Sequence, residues 1–286
     1  MRTRRPGRRG SSRGSPAHPG LRHWPRVAAR VLLVGGWTVV VVVSLLCVYL
    51  LAMARPGSVQ SVRARARRRA MRIWGRGMMR AVGVRVSVEG VSPPPGALVV
   101  SNHLSYLDIP VLGSVMPMVF VAMAELRRWP LWGFAASIGD TIFVDRATRR
   151  DVIRVRDEMA QARERGDTVI VFPEATSTAG ETILPLKPAL LADAAAAGTP
   201  VHWLTLSYWT PPDGPPARDS VCWWGGAGFV PHVVRLFALR RVHCTVRFGD
   251  APVRSRDRKE MAVELRRAML RSFVPVGTGE GPRETG

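Results

Sequence analysis

A chain of 286 residues carrying a net charge of +21 would suggest a polyanion-binding domain if the charge were spread along it, and it is not. Residues 1–80 hold 18 Arg and no Asp, Glu or Lys, whereas residues 81–286 hold the remaining 24 basic residues against 21 acidic ones. The excess belongs to an N-terminal attachment, and the rest, long enough for one sizeable core, is nearly neutral. The three cysteines, Cys47, Cys222 and Cys244, have no metal-ligand spacing and read as small buried residues of a reducing compartment.

In chain order, residues 1–26 are rich in Arg, Gly, Ser and Pro and predict a disordered basic tail. Such a tail can bind nucleic acid or anionic lipid, and the next segment selects lipid. Residues 27–54 predict a membrane segment, because Val31 to Ala54 carry no formal charge and are long enough to cross a bilayer as a helix. A cleaved signal peptide is the alternative, but its apolar core is usually shorter, and no clean small-residue cleavage site precedes Arg55. Arg13, Arg22, Arg26 and Arg30 lie on one side, and Arg55, Arg63, Arg65, Arg67, Arg68, Arg69 and Arg72 on the other. That bias predicts a cell-membrane protein with its domain on the cytoplasmic face. Gly35-Gly36 leaves a re-entrant or monotopic arrangement open.

Residues 55–80 predict a basic interfacial helix. Val59, Val62, Ala66, Ala70, Ile73 and Trp74 recur on one face, and Arg65, Arg68, Arg69, Arg72, Arg76 and Arg80 on the other. The stripe fits anionic headgroups and fits equally a helix packed on the domain; the two are compatible.

Residues 81–273 alternate. Strand-like runs cover 82–88, 98–101, 118–122, 141–144, 168–172, 201–207 and 244–248. Helix-like stretches cover 109–115, 125–137, 148–165, 186–197 and 256–273. The pattern predicts an α/β domain, a mostly parallel sheet flanked by helices, with its chemistry at the C-terminal ends of the strands. His103, Asp145 and Glu174 each closely follow a strand run. Four prolines make residues 210–220 a surface loop, and residues 274–286 read as a flexible tail.

The most informative run is Asn102-His103-Leu104-Ser105-Tyr106-Leu107-Asp108. Imidazole is the side chain that most readily takes a proton near neutral pH, and an aspartate five residues on can orient it. Positions five apart diverge by about 140° on one helix, so the pair requires a turn. Pro110 is tolerated only in a first helical turn, which starts the helix near Asp108 and leaves His103 in the preceding loop. Ser105-x-x-Asp108 is also a capping-box pattern, so Asp108 as a mere cap stays open.

Two further strand ends carry acids: Gly139 to Arg146, containing Phe143-Val144-Asp145-Arg146, and Phe172-Pro173-Glu174-Ala175-Thr176-Ser177. Together with the first run, in this order and behind a membrane segment, they resemble the phospholipid/glycerol acyltransferase family, whose motifs are N-H-x4-D, G-x-x-F-x-D-R and F-P-E-G-T. Ile183-Leu184-Pro185-Leu186-Lys187 is similar to its L-P-F-K run, and Gly198 to Val201 to its V-P-V strand. The resemblance covers about residues 80–250. It implies that His103 deprotonates an acceptor hydroxyl that attacks an acyl thioester directly, with Asp108 orienting the imidazole and no covalent intermediate. It implies that Arg146, Glu174, Thr176 and Lys187 bind the acceptor, that backbone N–H groups near residue 108 help to hold the oxyanion, and that no metal or cofactor is needed. The donor would be acyl-CoA or acyl-carrier protein. The acceptor would be a lysophospholipid, 1-acylglycerol 3-phosphate first. Anionic membrane lipid is the expected further partner, and nucleic acid is not one.

Three positions depart from the family. Gly139 lies one residue too far from Phe143, Ala175 replaces a glycine, and Ser177 replaces an arginine. Losing that arginine removes a phosphate contact and opens a second acceptor class, aminolipids such as lyso-ornithine lipid. Alanine resists the backbone angles glycine permits, which predicts a reshaped loop. Trp223 and Trp224 read as packing or interfacial anchors, and His202, His232 and His243 as structural. A non-catalytic, basic membrane-binding protein is the reading of a different class.

Overall fold

The computed structural model describes residues 20–54, 59–128, 132–145 and 148–276. Among them, seven strands form one sheet in the order β1-β7-β6-β2-β5-β3-β4. These are β1 (Val84–Glu89), β2 (Leu98–Ser101), β3 (Val119–Met123), β4 (Ile142–Val144), β5 (Val169–Val171), β6 (Val201–Trp209) and β7 (Val242–Phe248). Every pairing is parallel except β6 with β7. The short runs Leu98-Val99-Val100 and Val169-Ile170-Val171 are apolar at consecutive positions because helices cover both faces of a parallel sheet.

Alternate strand residues divide the core in two. On one face Val99, Phe120, Ile170, Leu204 and Leu206 pack beneath α1 (Trp24–Met53), α2 (Val59–Val82), α3 (Asp108–Val115) and α8 (Phe229–Ala238). On the other, Val100, Val119, Val171 and Val201 pack beneath α5 (Arg149–Glu164), α6 (Ala192–Ala196) and α9 (Arg258–Ser272). Two short helices, α4 (Trp132–Ile138) and α7 (Ala217–Ser220), complete the chain.

Helix α1 is 30 residues long, and its most apolar 18-residue stretch has a mean hydropathy of 2.7. One flank, including Val27, Arg30, Val34 and Thr38, is buried. Leu32, Leu50, Leu51 and Met53 are more than half exposed. That exposed apolar face is suited to membrane association. The helix starts at Trp24, inside the stretch read as a disordered tail, because Arg26 and Arg30 cap α8. Arg26 donates to the Ala238 carbonyl at 2.9 Å, and Arg30 to Phe237 and Leu239 at 3.1 and 2.6 Å.

Helix α2 keeps Arg65, Arg69, Arg72, Arg76 and Arg80 of the expected basic face exposed and turns Arg68 towards the domain. Arg67 is buried between Asp140 and Asp167, and Arg68 pairs with Asp167 at 2.9 Å. Both cations therefore face the domain, because a buried carboxylate demands charged partners. Gly75 lets α2 cross α3 closely: a Cβ there would lie 2.4 Å from the Ser114 nitrogen and 2.8 Å from the Pro110 carbonyl. Helix α2 ends at Gly83, whose φ of 78° and N–H bond to Met79 stop it and start β1 two residues later than predicted.

Other differences trace to proline. The helix expected over 125–137 is a 3-10 turn, Ala124–Arg128, and then α4; Pro130, which removes an N–H donor, lies outside the described residues between them. Pro188 likewise makes the start of the 186–197 stretch a 3-10 turn. Helix α8 is absent from the predicted stretches, and Pro231 lies in its first turn, where proline is tolerated. The loop expected over 210–220 contains α7. At the C-terminus, Val274 to Val276 are packed rather than frayed. Ser207 donates to the Val274 carbonyl at 2.7 Å, and the Val276 N–H to Gly180 at 2.7 Å. The remainder of the predicted tails, residues 1–19 and 277–286, lies outside the described residues.

Candidate active site

The site is built on three adjacent strands. β2 sits between β5 and β6, so the residues that follow β2 and β5 and those late in β6 converge at one end of the sheet. Asn102 extends β2 with its side chain. Its amide donates to the Leu206 carbonyl at 3.0 Å and accepts from the Leu206 N–H at 2.7 Å, imitating one more peptide of the ladder.

His103 then turns out of the sheet. Its Nδ1 lies 2.7 Å from Asp108 Oδ2, and its ring lies 4.5 Å from that of Phe172. The imidazole is 25% exposed while Asp108 is fully buried, so one edge of the ring is fixed inside and the other faces outward. Asp108 is the first residue of α3, as Pro110 required. The carboxylate bonds to the turn before α3 as well as to the imidazole. Oδ2 also accepts the Leu104 and Ser105 N–H groups at 2.8 and 3.1 Å, the capping half of its role. With four donors in all, the buried charge is compensated.

The fourth donor is Tyr208, whose hydroxyl gives Asp108 Oδ1 a hydrogen bond of 2.8 Å. Sequence reasoning missed it by ending the strand at Ser207. The available signal was a phenol directly after a predicted strand run, since a buried Tyr O–H requires an acceptor. Burial first, and the neighbouring Asp108 charge second, push its pKa well above the usual tyrosine value, which keeps it a donor.

Glu174, 3% exposed, commits both oxygens to backbone: one accepts the His103 N–H and the other the Leu184 N–H, each at 2.8 Å. It therefore braces the His103 loop rather than presenting a free carboxylate to an acceptor. Burial raises its pKa, and the two N–H bonds oppose the rise. Four of the N–H groups near the start of α3 are already engaged: Leu104 and Ser105 with Asp108, Leu107 with Ser105 Oγ, and Asp108 with the Ser105 carbonyl.

The loop after Glu174 keeps the shape that glycine would give it. Ala175 adopts φ 63°, contrary to the reshaped loop expected from its side chain. Thr176 is exposed. Ser177, in place of the family arginine, donates to the Trp223 carbonyl, and the Trp223 N–H donates to Leu104 at 2.8 Å. Trp223 thus bridges the loop after Glu174 and the His103 run. Lys187 is tied in through its main chain, which donates to Pro173 at 2.8 Å, and its side chain is exposed. Arg146 lies outside the described residues. Its neighbour Asp145 ends β4, three strands from β2, or roughly 14 Å at ordinary strand spacing.

Tyr106 points to the helical side. Its hydroxyl meets His232 Nδ1 at 2.9 Å, and His232 Nε2 meets the Cys222 carbonyl at 3.0 Å. The carbonyl can only accept, so Nε2 carries the proton and Nδ1 accepts from the phenol. Burial lowers the His232 pKa to about 4. Tyr106 and Leu107 also border an apolar cavity of about 470 Å³ that extends between α1 and α2, past Val34, Met71 and Trp74.

Comparison with known proteins shows what the chain is similar to. A family model described as Acyltransferase matches residues 83–209, which include His103, Asp108, Glu174 and Tyr208. The 1-acyl-sn-glycerol-3-phosphate acyltransferase of Neisseria meningitidis serogroup B is 32% identical over 185 residues, 64% of this chain and 71% of that protein. The lyso-ornithine lipid O-acyltransferase of Pseudomonas aeruginosa is 33% identical over 205 residues, 71% of this chain and 78% of that protein. Among solved structures, the 1-acyl-sn-glycerophosphate acyltransferase of Thermotoga maritima has a TM-score of 0.60, with 86% of this chain and 94% of that one covered. At 19% identity it shows the shared fold. By its matched region and its relatives, the chain belongs to the acyltransferase family.

Proposed function

We propose that this acyltransferase moves a fatty acyl group from a thioester, acyl-CoA or acyl-carrier protein, to the hydroxyl of a lysolipid at a membrane surface, with 1-acylglycerol 3-phosphate as the leading acceptor. The observation that carries the reading is the His103–Asp108 pair. Nδ1 is held at 2.7 Å by a fully buried carboxylate, while Nε2 makes no hydrogen bond among the described residues. Nε2 takes the proton of the acceptor hydroxyl as its oxygen attacks the thioester carbon. The tetrahedral intermediate collapses by breaking the C–S bond, and the imidazolium returns the proton to the departing thiolate. No acyl-enzyme forms. Asp108 stabilises the imidazolium, and Glu174 positions His103 by fixing its backbone.

The apolar cavity beside Tyr106 and Leu107 suits an acyl chain. The attachment of α1 and α2 along the domain, through Arg26, Arg30, Arg67 and Arg68, supports a hairpin lying in one membrane face rather than a crossing that leads away from the domain. The basic flanks of α1 support a cytoplasmic location for the domain.

A second acceptor class is favoured by Ser177. Where an arginine would offer a phosphate a bidentate contact, the serine hydroxyl is spent on Trp223. An aminolipid acceptor such as lyso-ornithine lipid fits that change. The test is acyl transfer from palmitoyl-CoA to a panel of lysolipids by purified protein, followed by mass spectrometry. Turnover of at least one lysolipid is expected, and transfer to none overturns the proposal. In Ser177→Arg, a gain of about tenfold in kcat/KM confined to phosphate-bearing acceptors identifies position 177 as a determinant. No gain removes it from that role.

A further inference from the structure

On the face of the sheet opposite α1 and α2, helix α9 and the segment 185–188 enclose a groove of about 740 Å³. Its floor is apolar: Pro185, Pro188, Ala262, Val263 and Leu270. Val263 is 57% exposed and Leu270 36%. Its cations are Lys259, Arg266, Arg267 and Arg271, and no acidic residue lines it among the described residues. Positions 259, 263, 266, 267, 270 and 271 recur at helical spacing, so this is one continuous face of α9. On the same helix Glu260 falls between Arg267 and Arg271, where it accepts from Ser255 at 2.6 Å, and Glu264 falls beside Arg271, so the cations outnumber the acids four to two on this side of α9.

We propose that this groove docks a small acidic protein that carries the acyl group as a thioester, and so serves as the donor-delivery surface of the enzyme. The inference rests on the thioester-donor reading above. Three observations support it. An exposed apolar floor ringed by four cations, none of them in an ion pair among the described residues, complements an amphipathic acidic helix rather than solvent. The groove lies on the other face of the sheet from the α1–α2 hairpin, so a partner in water reaches it where a bilayer holding that hairpin does not. The rim is also wired to the catalytic loop. Arg266 donates to the Ile183 carbonyl at 2.9 Å, and the next N–H, of Leu184, donates to Glu174, which holds the His103 N–H. A partner seated against 185–188 therefore sits on the segment that braces the base.

The test uses the full chain and the triple variant Lys259→Glu/Arg267→Glu/Arg271→Glu, whose positions touch none of the catalytic groups. Three donors are compared: palmitoyl-loaded acyl-carrier protein, palmitoyl-CoA and palmitoyl-pantetheine. Binding of the carrier protein to immobilised enzyme is measured independently of turnover. The proposal expects wild type to bind the carrier protein, with an affinity that falls as salt rises. It expects the variant to lose about tenfold in carrier-protein kcat/KM and in binding, while palmitoyl-pantetheine turnover stays within about twofold. An equal loss with palmitoyl-CoA overturns it in favour of a phosphate-reading patch. Loss of binding to anionic phosphatidylglycerol vesicles, with the carrier-protein rate intact, overturns it in favour of lipid. No binding of carrier protein by wild type overturns it outright. Wild type that binds the carrier protein yet transfers from none of the three donors contradicts the thioester chemistry instead, so the two failures are distinguishable.

Discussion

The two halves of the site are built in opposite ways. At the base, every polar atom of Asp108 and Glu174 is matched by a donor from a neighbouring strand or turn: His103, Leu104, Ser105 and Tyr208 for one, His103 and Leu184 for the other. At the acceptor rim, Ala175 sits in a left-handed conformation that glycine holds more cheaply, Thr176 is exposed, and Ser177 is turned to a carbonyl. The difference teaches that the group proposed to handle the proton is over-determined by the fold, whereas the residues proposed to read the acceptor lie in a loop held by fewer contacts.

The sharpest way to break that contrast is Tyr208→Phe. It leaves Oδ1 of a fully buried carboxylate without its hydroxyl donor, at a cost of about 1–3 kcal/mol. The account expects a fall of roughly tenfold or more in kcat with little change in the acceptor KM, read by steady-state kinetics beside a thermal melt. If kcat is unchanged, Tyr208 packs but does not position.

A smaller effect is expected from pH through His232, which pins Tyr106. Its folded pKa, about 4, lies below the unfolded value near 6.5, so the fold holds it neutral where the unfolded chain binds a proton. Stability is therefore full above about pH 6.5 and is lost as pH falls towards 4, by up to about 1.4 kcal/mol per unit. Urea midpoints between pH 7 and 5 measure this, and His232→Gln should flatten the slope. A slope that persists in the variant would assign the loss to other groups.

The smallest expected effect is at the rim. Ala175→Gly relieves a left-handed alanine and adds unfolded-state entropy, for a net gain on the order of 0.5–1 kcal/mol. The melting temperature should rise by roughly 1–4 °C with kcat/KM close to unchanged. A destabilised variant would mean that the Ala175 methyl packs usefully.

The base was legible in the sequence in part for a physical reason. Pro110 fixes where α3 starts and leaves His103 in a short loop that can fold onto Asp108, and the resemblance of the later motifs, more than this spacing, singled out the pair. The sheet was legible because alternating apolar runs and helical stretches permit few other layer arrangements. What stayed hidden depends on contacts distant in sequence. Tyr208 reaches Asp108 only because β6 lies beside β2, and Glu174 faces the His103 N–H only because β5 lies on its other side. The inward turn of Arg67 and Arg68 was likewise invisible, since their carboxylate partners, Asp140 and Asp167, lie more than 70 residues away.

The central claim is that His103 is the base of a direct transfer, and one measurement bears on it most directly. Purified wild type and His103→Ala are given labelled palmitoyl-CoA and the preferred lysolipid, with the fold of the variant verified by its melt. The account predicts a loss of roughly a thousandfold or more in kcat, and no labelled acyl-enzyme in a rapid quench of wild type. Near-wild-type transfer by a correctly folded His103→Ala, or a trapped acyl-enzyme, would contradict it.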